Sequence, residues 1–336
     1  MDKNNIAQWN NRFHYDPIKG LINLDSKAIS FFTQRDLLNK NVDNILSVWN
    51  LPEVQQLLKN QQPDGSWKYP GNKPHSYPIH HYPLVETWKR FRILINHYEM
   101  NKTHPAIDKA AEFLFSCQTK QGDIRGMIGN QYATYYTGAI MASLIKAGYQ
   151  YDSRIEKGFQ WLLSIRQNDG GWTIPILTHS FDRKTGYTLT SRPMDPIEPD
   201  KSKPFSHNWT DMVLRAFAAH PTYRNSKEAK AAAFLLKSRF FKKDVYNSYK
   251  SEYYWIRFAF WWSNILTSLE SLVLMGFSKN DEDIQKGLNW FIDNQQEDGL
   301  WNLSYWPGKK QVDSPKIQKQ KGWISLRICK MFKNFF

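Results

Sequence analysis

Gln61-Gln62-Pro63-Asp64-Gly65-Ser66-Trp67, Arg166-Gln167-Asn168-Asp169-Gly170-Gly171-Trp172 and Gln295-Gln296-Glu297-Asp298-Gly299-Leu300-Trp301 are copies of one pattern, and each follows an apolar helical run. Each copy marks the end of a repeating unit. A unit of that length cannot bury its own apolar face, so neighbouring units must stack. Within a copy, glycine lets the chain turn off the helix, aspartate can cap exposed amides, and tryptophan fills the space between hairpins. The glutamine amide can tie to the next helix. These roles are structural, so Trp67, Trp172 and Trp301 are not candidates for chemistry.

Between the copies the sequence is helical in period and almost free of strand-like alternation. The segments fall into two alternating classes. One is rich in small, hydroxyl and aromatic residues, as in Tyr132-Ala133-Thr134-Tyr135-Tyr136-Thr137-Gly138-Ala139, and predicts inner helices buried on most sides. The other is amphipathic, as in Ser153-Arg154-Ile155-Glu156-Lys157-Gly158-Phe159, and predicts an outer layer. Inner helices are expected over 27–40, 81–98, 132–147, 208–219, 262–276 and 317–334. Outer ones are expected over 50–61, 105–118, 153–167, 226–240 and 281–296, with the segment from Asn5 to Phe13 as a further outer element. Inner-to-outer connections are short and outer-to-inner ones long, so any site should lie at the end where inner helices begin, with 168–207 as a lid.

Composition narrows the classes. The chain has 336 residues, is 41% apolar, and shows no compositional break, which predicts one domain over 1–336. Fourteen Trp, 17 Tyr and 20 Phe indicate a thick aromatic core or an aromatic-lined cavity. A net charge of +14 is spread without a basic block, which argues against nucleic acid and leaves peripheral contact with an anionic membrane to test. Cys117 and Cys329 stand far apart with neither a zinc-finger nor a disulfide pattern, the first residues lack the apolar core of a signal peptide, and no apolar run reaches membrane-spanning length. A soluble, cytoplasmic protein is the expectation.

The Gln-x-x-x-Gly-x-Trp spacing of Gln61/Gly65/Trp67 and Gln295/Gly299/Trp301 resembles the QW repeat of the prenyltransferase and squalene-cyclase superfamily. Arg166 replaces the first glutamine in one copy, Gln118-Thr119-Lys120-Gln121-Gly122 looks like a further copy without its tryptophan, and the stretch from Phe240 to Tyr246 looks like a degenerate one. The chain looks most similar to stand-alone single-toroid members of unestablished activity. Phe31-Phe32-Thr33-Gln34-Arg35-Asp36-Leu37-Leu38 and Lys321-Gly322-Trp323-Ile324-Ser325-Leu326-Arg327 resemble their two ends. The resemblance implies an all-α fold, an α/α toroid of six helical hairpins. It does not fix a reaction, because one fold hosts unrelated chemistries.

Cyclases of the protonating class use the middle Asp of a D-x-D-D run, which this chain lacks; Asp281-Glu282-Asp283-Ile284 comes closest but reads as the capped start of an outer helix. The D-D-x-x-D cluster that would hold a magnesium diphosphate is missing, neither cysteine sits in a zinc context, and so no metal or cofactor is expected. P-loop, dinucleotide and nucleophile-elbow patterns are missing too. What remains are polar and aromatic groups at the starts of inner helices. In Ser206-His207-Asn208-Trp209-Thr210-Asp211, His207 and Asp211 are four apart and can share a helix face, with Asp211 as candidate acid and His207 as its partner. Capping of the helix is the competing reading. His80, His81 and upstream His75 raise a metal reading, against which stands simple loop hydrogen bonding. Candidate ligand-binding residues are His81, Tyr132, Tyr135, Tyr136, Trp209, Trp261, Trp262 and Trp323, with Phe258 and Phe260 beside the tryptophan pair.

These residues predict a terpene cyclase-like or prenyl-handling protein that takes an isoprenoid or another long apolar ligand into an aromatic-lined central cavity. Two rivals stay open. One is a carbohydrate-active toroid, hydrolase or lyase, using Asp195, Glu198 and Asp200 of the lid. The other is a non-catalytic binding or scaffold protein. The oligomeric state is not legible.

Overall fold

The computed structural model describes residues 9–72, 77–246, 251–259, 261–308 and 313–336. In chain order its α-helices are α1 (Pro17–Ile22), α2 (Lys27–Phe32), α3 (Leu46–Trp49), α4 (Pro52–Leu58), α5 (His81–Tyr98), α6 (Pro105–Ser116) and α7 (Thr134–Leu144). Then follow α8 (Ser153–Ser164), α9 (Arg183–Ser191), α10 (His207–Ala219), α11 (Lys227–Lys237), α12 (Ile265–Leu274), α13 (Glu282–Asp293) and α14 (Pro315–Phe335). Among the described residues there are isolated β-bridges but no strand, so the class is all-α, as an α/α toroid requires. No helix among them is long and apolar enough to cross a membrane.

The helices gather into two compact units, the described parts of Met1–Leu51, Lys237–Lys243 and Ser248–Phe336 in one, and of Pro52–Leu236 and Asp244–Asn247 in the other. The expected boundaries hold within a few residues for α5 to α8 and α10 to α14. Two others shift. The helix expected over 27–40 passes into a π-turn at Thr33–Leu37 and stops, and the one expected over 50–61 is shortened to α4, which starts at Pro52, while the short α3 precedes that range. The element expected from Asn5 to Phe13 falls partly outside the described residues. Of that element Trp9 and Asn10 are helical, and the next helix begins at Pro17, where the Asp16 carboxylate accepts from Ile18 N at 2.9 Å.

In the larger unit the two helix classes separate as their patterns require. α7 is buried almost all round, from Thr134 to Leu144, whereas α8 buries only a stripe of Ile155, Gly158, Phe159, Trp161 and Leu162. α7 and α10 pack against each other more extensively than any other pair. Gly138 makes that possible: a Cβ there would stand 2.6 Å from Val213 Cα, so the two backbones meet where a side chain would hold them apart.

The repeated turns share one wiring scheme. Gln61 Nε2 donates to Gly65 O at 3.0 Å and to Ala106 O at the start of α6 at 2.7 Å; Gln118 does the same to Gly122 O and to Arg154 O of α8, both at 2.8 Å. In the smaller unit Gln295 Nε2 donates to Gly299 O at 2.9 Å and to Tyr15 O just before α1 at 3.0 Å. Gly65 sits at φ +86° with the Lys109 carbonyl pressed against it, leaving no room for a Cβ. The closing residue then donates its backbone N–H to a hydroxyl on a later helix: Trp67 to Thr87, Ile124 to Thr137, Trp172 to Thr210 and Trp301 to Ser325, at 2.8–3.1 Å. Each of these three glutamine turns is thus tied to two other elements, one through the amide and one through the closing N–H.

Candidate functional site

The N-terminal end of α10 is built on a buried carboxylate that the sequence does not reveal. Asp244, 5% exposed, accepts at one oxygen from Ser206 Oγ (2.7 Å), Asn208 N (3.0 Å) and Asn208 Nδ2 (2.8 Å), with His207 Nδ1 at 3.5 Å; its other oxygen accepts from Val245 N at 2.6 Å. Ser206 Oγ meanwhile accepts from Trp209 N at 3.3 Å, the hydrogen bond of a helix cap. A carboxylate with this many donors is stable away from water, because each lost hydration contact is replaced. Asp244 lies within the degenerate copy from Phe240 to Tyr246, and where the glutamines of other copies donate to carbonyls it accepts from the start of α10.

One turn on, Asp211 is fully buried, and its Oδ2 receives Arg215 Nη2 at 2.7 Å and Nε at 3.3 Å. His207 and Asp211 therefore both lie in the core of the same helix, with Asp244 facing the first and Arg215 facing the second. Arg215 is four residues from Asp211, a spacing from which the pair could have been read. Asp244, 36 residues from Asn208, could not.

Three candidate aromatics converge. The Tyr135 ring lies 4.6 Å from that of Trp209 and 4.4 Å from that of Tyr136, joining the starts of α7 and α10 in a stack whose first two members are 7% and 3% exposed. His81 stands apart: its Nδ1 is 2.7 Å from Gly126 O, and His80 Nε2 is 3.2 Å from Arg125 O, so both rings hold the loop before α7. His75 lies outside the described residues. Tyr132 also points elsewhere, donating to Glu198 Oε1 at 2.7 Å; burial, helped by that carboxylate, raises its phenol above the ordinary tyrosine range and keeps it a donor.

In the smaller unit Trp261 and Trp262 are half-buried with rings 6.2 Å apart, and Trp262 O accepts from the Asn264 side chain that caps α12. Trp323, on α14, is buried 6.0 Å from the Phe32 ring. Phe258 packs at 5.6 Å on Phe291, and Phe260 lies outside the described residues. Asp281 caps α13, accepting from Asp283 N and Ile284 N. Cys117 and Cys329 are free and buried, and burial pushes the Cys117 thiol up to about 12.

The insertion from 168 to 207 is ordered by its own capping and by clamps. Asp182 accepts from Thr185 N at 2.9 Å to start α9, a cap legible in Asp182-Arg183-Lys184-Thr185 but not foreseen. Gln167 Nε2 donates to Asp200 O and Lys203 O, both at 2.9 Å, and Gln131 binds Leu189 O, Asp195 O and Ile197 N at 2.9–3.1 Å. Of the carboxylates weighed for carbohydrate chemistry, Asp200 caps a turn through Ser202, Glu198 meets Tyr132, and Asp195 enters this clamp through its carbonyl.

Comparison with known proteins adds the following. Residues 81–193 match the squalene-hopene cyclase C-terminal domain. Among curated proteins nothing matches. Similar solved structures include a protein from Actinoplanes (12% identity, 95% of this chain and 88% of that one, TM-score 0.48). The type II terpene cyclase MstE from Scytonema is similar at 11% identity over 99% and 98% of the two chains, TM-score 0.44, and a polysaccharide lyase at 14% over 96% and 90%, TM-score 0.46. Likenesses this distant do not choose between chemistries. The match spanning α5 to the insertion, together with the glutamine-to-tryptophan turns outside it, supports placing the chain in a prenyltransferase and squalene-cyclase-like superfamily.

Proposed function

We propose that this is a terpene cyclase-like, prenyl-handling protein that binds an isoprenoid or another long apolar molecule against the aromatic side chains at the starts of its buried helices. The observation that carries the reading is the squalene-hopene cyclase match over 81–193, the stretch that contains Tyr135 and Tyr136 at the start of α7. Aromatic faces such as the Tyr135–Trp209 pair attract positive charge and bind apolar chains without demanding hydrogen bonds. Asp211 is the acid of this proposal and His207 its neighbour. Arg215 then acts as the group that sets the Asp211 carboxylate in place. Two buried free thiols fit a cytoplasmic setting.

The test is mass spectrometry of organic extracts after incubating the protein with polyprenyl diphosphates, squalene and related polyprenes. A cyclised or prenylated product that disappears in Asp211→Asn supports the proposal. Unchanged substrates remove the catalytic part of it, and a product that survives Asp211→Asn removes the role of Asp211.

A further inference from the structure

In the connections beyond α5 and α10, two histidine rings carry hydrogen bonds that only an unprotonated imidazole can make. His220, which follows the last residue of α10 and is buried, accepts at Nδ1 from Thr222 N and Tyr223 N, both at 3.2 Å, while its Nε2 lies 2.9 Å from Gln150 O in the connection from α7 to α8. A backbone N–H only donates and a carbonyl only accepts, so the partners themselves assign the tautomer, with Nδ1 bare and the proton on Nε2. His104 repeats the arrangement on the connection from α5 to α6. Its Nδ1 accepts from Ala106 N at 3.2 Å and caps α6, and burial holds the ring below the ordinary histidine range.

The connection from α7 to α8 is held from both sides, by Lys102 N on Ala147 O at 2.9 Å and by His220 on Gln150 O. Of these two ties only the second titrates. A proton added at Nδ1 sets one N–H against two others, and the ring cannot then keep both sides: either the turn at 222–223 opens, or the ring swings away and drops Gln150. The charged groups nearby are committed elsewhere. Arg224, on the same turn, donates from Nε to His220 O at 3.2 Å, and Glu156 of α8 accepts from the Tyr223 hydroxyl at 2.6 Å. Asp152, two residues beyond Gln150, is bound by Arg154 at 2.7 Å. The ring itself packs against Phe159 and Tyr223, with centroids at 5.3 and 5.1 Å. None of these contacts offers a new Nδ1–H an acceptor. Around His104, Asp108 is likewise occupied by the Tyr149 hydroxyl at 2.6 Å, and Lys102 lies over the Tyr149 ring.

We propose that His220 is an acid-operated latch between the far ends of α7 and α10: neutral, it joins the turn after α10 to the connection after α7, and protonated, it lets one of the two go. The consequence falls on a helix pair that matters to the candidate site. α7 and α10 meet at Gly138 and Val213, and their starts carry Tyr135 and Trp209. Latched, the pair is fixed where it ends; released, that tie is lost while the packing stays. The latch involves no ligand and stands apart from the prenyl reading.

Hydrogen exchange on the full chain at pH 7.5 and 5.5, corrected for the intrinsic rate, tests this. An imidazole that takes its proton only in the open state, at about 6.5, raises the open population about tenfold over that interval, so the latched turn loses stability as pH falls below that value. Protection of the Thr222 and Tyr223 amides should therefore drop about tenfold. His220→Asn keeps an acceptor where Nδ1 stands and cannot titrate, so its protection there should not change with pH. His220→Gln, which keeps only the distal donor, should be poorly protected at both pH values. Nitrogen chemical shifts of the parent's histidine rings, a measurement that needs no variant, should show His220 as Nε2–H at pH 7.5. Protection of the parent that ignores pH, a tenfold drop that persists in His220→Asn, full protection in His220→Gln, or an Nδ1–H ring at pH 7.5 would each overturn the proposal.

Discussion

In the turn that ends at Trp67, glutamine reaches forward to the start of α6, whereas in the turn that ends at Trp172 the neighbouring glutamine reaches instead to the far end of a long insertion. The rest of the two turns is the same: a glycine at positive φ, an aspartate accepting a backbone N–H two residues on, and a tryptophan whose N–H goes to a threonine hydroxyl. The difference separates what the repeat requires from what it can reassign. Glycine and hydroxyl hold in both; the amide follows whichever backbone lies beside it.

If the glycine is the fixed element, Gly65→Ala should be the most damaging single change, combining a left-handed backbone with a Cβ driven into the Lys109 carbonyl. A loss of about 4 kcal/mol or more is expected in chemical denaturation; a loss below that of the glutamine variants would break the comparison. Gln61→Ala comes next, leaving the Ala106 and Gly65 carbonyls without their donor at a cost of about 1–3 kcal/mol. Gln167→Ala should differ in kind, with little change in global stability but faster amide exchange around 200–203, where its two acceptors lie. Equal global losses in the two glutamine variants would show that the amide had not been reassigned.

Thr210→Val keeps the shape and removes the hydroxyl that accepts from Trp172 N, and should cost about 1–2 kcal/mol by thermal melting. The smallest effect concerns the outer surface. A hydrogen bond from Arg154 holds the Asp152 carboxyl below the ordinary carboxylate range despite the opposing pull of burial. A depressed native value adds stability above the unfolded value of about 3.9 and loses it as pH falls through the native one. Asp152→Asn should therefore narrow the stability gap between neutral and strongly acid pH by about 0.2–1 kcal/mol, in urea titrations at both pH values. An unchanged gap would show that the pair adds nothing.

The turns were legible because their side chains act mostly within a few residues: Gln61 on Gly65, Asp64 on Ser66, Gly299 on its own φ. Helix class was legible for a similar reason, since α8 buries a stripe that repeats with the helical period whereas α7 carries small, hydroxyl and aromatic residues on all sides. The candidate site was legible only in part. Tyr135 and Tyr136 announce their proximity by adjacency, but Tyr135 meets Trp209, and His207 meets Asp244, only after the chain has folded across many residues. His81 and Tyr132 open helices just as Tyr135 does, yet their side chains turn to Gly126 and Glu198, because direction at a helix start depends on neighbours that periodicity does not encode.

The insertion from 168 to 207 is gripped near its base by Gln167 and along its length by Gln131, and each of these two amides works on main-chain atoms. Main-chain atoms are the same whatever side chains they carry, so the clamps read the path of the segment and ignore its identity. The segment is in that sense a cassette: its outward residues, Phe181 and Tyr187 among them, are open to change by mutation or exchange while the scaffold keeps its hold.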